Sequence, residues 1–134
     1  MEIDAALQSA ISSSSQCVAA GYVDLVAGVI IGMKTLDAYP QELLDFLAVA
    51  SADMFQGPNV AGIERAFDQA RGMTGERRHY FQEILVTSDH LVHVFLRSRK
   101  NQNHASCFVY RKSVSIGLAM TESRAAMQSI EAAA

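Results

Sequence analysis

Apolar residues recur along the chain with two periods. Ile3, Leu7, Ala10 and Ile11 follow helical spacing, and Ser12 to Ser15 end that pattern because serine side chains compete for backbone hydrogen bonds. Residues 17–23 and 28–33 are rich in Val, Ile and Tyr, and Gly28 is available for a tight turn between them, which is the pattern of a β-hairpin. Their unbroken apolarity predicts strands covered on both faces. Pro40 suits the first turn of a helix and Glu42 lies near its positive end, so residues 40–55 are predicted helical. Leu43, Leu47, Ala50 and Met54 make one stripe on it, Leu44, Ala48, Ser51 and Phe55 a second, and Phe46 and Val49 widen the surface further. That arc exceeds what one buried face requires. One broad core helix and a helix with a subunit contact are equally compatible with it.

Gln56-Gly-Pro-Asn59 breaks the pattern, and Asn59 is the expected cap of a short helix in which Ile63, Phe67 and Ala70 align before Gly72 stops it. Residues 71–79 read as a loop. In residues 80–87 the residues alternate, Tyr80, Ile84 and Val86 on one face and Phe81, Glu83 and Leu85 on the other. With residues 91–97 and 105–111 they predict a three-stranded antiparallel meander. From residue 113 onward Val114, Leu118, Thr121 and Ala125, with Ile116, Met120, Met127 and Ile130 alongside, return to helical spacing.

The chain of 134 residues is the length of one domain, 1–134, and half of it is hydrophobic, which excludes a disordered tail. The longest apolar run, residues 25–33, is nine residues, too short to span a membrane, and the amino terminus carries acid where a signal peptide carries Lys or Arg. A cytoplasmic protein is expected. The net charge of −3 is unevenly spread: residues 1–70 hold nine acids and two bases, residues 71–134 five acids and nine bases. Arg77, Arg78, Arg97, Arg99 and Lys100 are therefore candidates for binding a partner or an anionic ligand, against the plainer reading of solvated loops. A pI near 5.7 and the lack of an aromatic-interleaved motif argue against nucleic acid. Cys17 and Cys107 sit among apolar neighbours without CxxC spacing and read as buried free thiols. His90 and His93, three apart in a strand, point to opposite faces and do not suggest a metal site. No phosphate loop, nucleophile elbow or zinc-protease motif occurs, so no cofactor and no catalytic residue is expected.

The hairpin sequence Cys17-Val-Ala-Ala-Gly-Tyr-Val-Asp24 followed by Gly28-Val-Ile-Ile31, the long apolar helix from Pro40, and the small-residue entry Ser113-Val-Ser-Ile-Gly117-Leu into the last helix resemble the roadblock/dynein light chain family, in its small, single-domain bacterial form. The resemblance implies an α+β, profilin-like fold of order α-β-β-α-β-β-β-α, with a five-stranded antiparallel sheet flanked by helices. Residues 57–79 form an inserted short helix and loop, longer than the family's compact connection.

What the resemblance implies about function is a noncatalytic homodimer that binds or regulates a small Ras-like GTPase, or serves as a signalling or motility adaptor. In that family the first meander strand and the long helix pair across a twofold axis. Carried onto this chain, the dimer interface would comprise Leu43, Leu44, Leu47, Phe81, Glu83 and Leu85. The alternative is a sensor of small molecules or anionic ligands, with a pocket beside the sheet and arginines to receive the ligand.

Overall fold

Tyr22, Phe108, Tyr110 and Phe55 are among the largest fully buried side chains, and they divide between the two faces of one sheet. A computed structural model of the chain describes residues 2–72 and 79–134. In chain order the described elements are α1 (Glu2–Ser12), β1 (Cys17–Asp24), β2 (Val29–Thr35), α2 (Gln41–Gln56), α3 (Pro58–Ala70), β3 (Glu83–Thr87), β4 (Leu91–Arg97), β5 (His104–Arg111) and α4 (Ile116–Ala133). The five strands form one antiparallel sheet in the order β2-β1-β5-β4-β3. This is the α+β architecture expected from the sequence, with α3 inserted before the meander.

Alternation along the inner strands builds two cores. Cys17, Ala20 and Tyr22 of β1 join Val92, Val94, Leu96, Phe108 and Tyr110 under α1 and α4. Ala19 and Val23 join Phe95, Ala105, Cys107 and Val109 beneath Ala48 and Phe55 of α2. The expectation of two covered faces holds for β1, which lies between β2 and β5. It fails for β2, an edge strand whose Val29 and Ile31 are 51% and 38% exposed. Apolarity alone does not separate a central strand from an edge. Gly32 of β2 has a specific reason to be glycine: a Cβ there would come within 3.0 Å of Leu7 and 3.2 Å of Ile3, because α1 crosses the strand closely.

The helix ends correct several details. Pro40 is the N-cap of α2 rather than part of its first turn. Gly57 precedes Pro58 at the start of α3, so proline, not Asn59, sets that helix in motion, and Gly72 at φ 67° ends it in the left-handed conformation. Ser115 caps α4, its Oγ accepting a hydrogen bond from the Leu118 amide at 3.1 Å. The buried stripe of α4 is Ala119, Ser123, Met127 and Ile130, while Leu118, Thr121 and Ala125 face out. The expected stripe began at Val114, which precedes the helix, so its count ran onto the wrong side. No helix among the described residues is long and apolar enough to cross a membrane.

Candidate functional site

The helix α2 separates its two apolar stripes by depth. Ala48, Ser51 and Phe55 are buried, and Ser51 meets its hydrogen-bonding need within the helix by donating to the Leu47 carbonyl at 2.8 Å. The neighbouring flank stands open: Leu43 is 52% and Phe46 64% exposed, Ala50 is exposed, and Leu44, Leu47 and Met54 are half-buried. Beside this flank runs an apolar groove of about 180 Å³, walled by Tyr39, Leu43, Leu44 and Leu47 and floored by Leu91, His93, Cys107 and Val109. The helix therefore covers Cys107 and Val109 of β5, which are buried, and leaves Leu91 and His93 of β4 half-buried beside it. Desolvation in that setting lowers the pKa of His93 below that of an ordinary histidine. Val49, on the opposite flank, closes on the β1–β2 turn near Gly28.

At the far side of the sheet, β3 presents a free edge. The Arg97 amide donates to the Gln82 carbonyl and the Ser88 amide to the Leu91 carbonyl, which fixes the even-numbered residues of β3 as the inward hydrogen-bonding set. The amides and carbonyls of Glu83, Leu85 and Thr87 consequently point outward. The strand starts at Glu83 rather than residue 80, so the alternation predicted for residues 80–82 does not apply. Phe81 packs with Ile84 against the α2-side core, whereas Leu85 packs against the opposite core under α4. Phe81 and Leu85 thus do not share a face. Glu83 reaches α4, where Arg124 donates two hydrogen bonds to it, at 2.9 and 2.6 Å, and this pairing lowers the Glu83 pKa. Of the expected interface residues, Leu43, Leu44 and Leu47 are thus together at the groove, and Phe81, Glu83 and Leu85 are dispersed around the start of β3.

Among the described basic candidates, Arg97 stands apart from Arg99 and Lys100. Arg97 is 3% exposed and serves the fold: its guanidinium donates to the carbonyls of Phe81 (2.9 Å), Gln102 (2.6 Å) and Phe55 (2.8 Å) and to Gln56 Oε1 (2.8 Å), over the Phe55 ring at 5.0 Å. Burial pushes its pKa down to about 10, which leaves it charged at neutral pH. A guanidinium so enclosed is not available to a ligand, and Arg97 is no longer a binding candidate. Arg99 and Lys100 are exposed after β4, and Arg77 and Arg78 lie outside the described residues.

An open cleft of about 770 Å³ lies between α4 and the β3–β4 side of the sheet, lined by Leu96, Met127, Glu83, Arg99, Arg124 and Glu131 among others. Glu131 accepts from the Ser98 hydroxyl at 3.0 Å and the Arg99 amide at 2.7 Å. Two carboxylates share this rim with the arginines, so it gives the anionic-ligand alternative no support. The thiols are equally committed to the interior: burial pushes Cys17 up to about 11 and Cys107 up to about 12, far from the range of a reactive thiolate. Burial also raises Tyr110 to about 12, and its hydroxyl pairs with Ser123 at 2.8 Å. Among the described residues no three His, Cys, Asp or Glu side chains are grouped to hold a metal ion.

No protein-family model matches the sequence, and no curated protein does. Solved structures match its fold over nearly the whole chain. The gliding protein MglB of Thermus thermophilus has a TM-score of 0.71 at 17% identity, covering 99% of this chain and 88% of that one. An MglB with a tetrameric arrangement gives 0.68 at 17% identity, covering 98% and 90%. The Roadblock/LC7 domain of Streptomyces avermitilis gives 0.67 at 11% identity, covering 98% and 96%. The chain has the roadblock fold expected from its sequence.

Proposed function

We propose that the protein is a noncatalytic regulatory module that works as a homodimer and engages another protein, a small Ras-like GTPase being the partner class. The observation that carries the reading is the open apolar flank of α2, with Leu43 52% and Phe46 64% exposed, beside a small apolar groove whose β4 floor is half-buried. Two copies related by a twofold axis satisfy both features at once, each laying its Leu43–Phe46 flank along the other's groove while the outward amides and carbonyls of β3 meet at the edge. The likeness to MglB, one example of which is arranged as a tetramer, supports self-association. The GTPase rests on the resemblance in sequence and on fold likeness to a gliding protein.

The test has two arms. Light scattering on the wild type is expected to give the mass of two chains at micromolar concentration. Phe46→Glu should give one chain with unchanged circular dichroism, since the side chain is already mostly exposed. Losing about 2 kcal/mol of apolar burial in each copy is counted twice by symmetry, which weakens the dimer by roughly a thousandfold. For the partner, immobilised protein offered small GTPases loaded with GDP or a nonhydrolysable GTP analogue should retain one nucleotide state preferentially. A monomeric wild type would sink the first part, and no retention in either state the second.

A further inference from the structure

We propose that the outward side of α3 is a second arm of the self-association surface, receiving the mate's Leu36 and Tyr39; this rests on the homodimer reading above. Helix α3 buries none of its residues. It is held by a polar latch: Glu64 accepts from the Tyr80 amide at 2.8 Å and pairs with His79 Nδ1 at 3.0 Å, the Tyr80 hydroxyl donates to Asp68 at 2.7 Å, and Arg71 lies 5.7 Å over the Tyr80 ring. At 3.6 residues per turn Glu64, Asp68 and Arg71 share one side, and Ile63, Ala66 and Ala70 lie roughly 130° away round the helix. Phe67, at the border, touches Tyr80 with one side of its ring, 5.4 Å between centroids. The far side carries no charge and is open to solvent, with Ile63 42% and Phe67 48% exposed. A surface helix ordinarily turns its apolar stripe inward. This one is pinned by its polar side and turns the apolar one out.

The occupant follows from symmetry and area. A twofold axis crossing α2 sets the two copies of that helix antiparallel, which brings the amino-terminal end of one beside the carboxyl-terminal end of the other. There Gly57-Pro58 turns the chain directly into α3. The segment that arrives from the mate carries Leu36 and Tyr39, which are 53% and 43% exposed. The α2 flank alone is too small: Leu43 and Phe46 offer on the order of 250 Å² between them, against about 800 Å² per partner in a stable dimer. Ile63, Phe67, Leu36 and Tyr39 supply further exposed apolar area, and Tyr39 also walls the groove beside α2.

Sedimentation equilibrium compares the wild type, the double variant Ile63→Ser with Ala66→Glu, and the control Ile116→Ser with Leu118→Glu, which alters exposed residues on α4. The expected result is a wild-type dimer, at least tenfold weaker self-association for the α3 variant with its melting temperature unchanged, and no change in the control. A dimeric wild type whose α3 variant associates equally well overturns the second arm alone. A monomeric wild type overturns the homodimer reading and this inference with it. If the α3 variant fails to fold, Tyr39→Cys mixed with Ala66→Cys decides. Both native cysteines are buried, so a disulfide joining the two variant chains under mild oxidation supports the contact, and its absence overturns it.

Discussion

Replacing Arg97 by Met should damage the fold more than any other change to a basic residue. Its guanidinium reaches four oxygen acceptors on three separate pieces of chain: the end of α2, the segment entering β3, and the turn after β4. The bond to the Phe55 carbonyl is buried, and leaving that oxygen without a donor costs about 2 kcal/mol. The other three acceptors are part-buried and can recover water, so about 0.7 kcal/mol each is a fair figure, for a total of about 4 kcal/mol. Relief from desolvating the cation offsets part of this, and about 3 kcal/mol remains. In a domain of this length that lowers the melting temperature by roughly 10 °C. Urea titration and thermal melting followed by circular dichroism measure it. Arg97→Lys separates charge from geometry, because an ammonium cannot span acceptors on three segments as the planar fork does; it should recover less than half of the loss. A Met variant within about 1 kcal/mol of wild type, or full rescue by Lys, would refute the reasoning.

Smaller effects follow from the other buried and paired groups. Glu83→Gln should lower stability slightly at neutral pH and make less difference as the solution is acidified: the Glu83 pKa is depressed in the fold, so its contribution is present above the unfolded carboxylate range and is lost as pH falls through the folded value; a difference in urea midpoints that stays constant from neutral to acid pH would contradict this. His93 has the opposite charge type and a lowered pKa, so the unfolded chain takes up the proton first and stability falls as pH drops below about 6.5. His93→Leu should flatten that part of the profile. Ser123→Ala strands the Tyr110 hydroxyl and should cost about 1–2 kcal/mol in urea unfolding. Neither Cys17 nor Cys107 should react with a thiol reagent at pH 8 until the chain is unfolded, and stoichiometric labelling of the native protein would argue against their burial.

The architecture was legible where periodicity and local turn chemistry agree. The α1 stripe, the Gly28 turn and the three-stranded meander each depend on residues within a few positions of one another. The errors arise where the deciding neighbour is distant in sequence. Val29 and Ile31 look as buried as Val23, and only the sheet order, set by β5 pairing with β1 from the other end of the chain, leaves them on an edge. Phe81 and Leu85 alternate correctly on paper, yet the strand begins at Glu83 because Glu64 of α3 captures the Tyr80 amide.

Arg97 illustrates the limit most clearly. In the sequence it is one of several bases between Arg71 and Lys112, with nothing to mark it apart from Arg99 two positions later. Its parity on β4 carries the distinction: Phe95 and Arg97 fall on the same side of the strand, and Phe95 belongs to the core beneath α2. A cation on that side must either find acceptors or forfeit several kcal/mol of solvation. Two of the four acceptors come from the last turn of α2, where the Phe55 carbonyl has no amide left within the helix to bind it. The buried charge thus answers the unpaired end of the very helix whose open flank is proposed to meet the mate, and it fixes that end against the sheet. Holding the α2 carboxyl terminus in this way also sets the direction in which Gly57-Pro58 sends α3. A folded but loosened Arg97 variant should therefore lose self-association beyond what its stability loss explains, and a variant whose dimer affinity is unchanged at a temperature where it stays folded would separate the clamp from the interface.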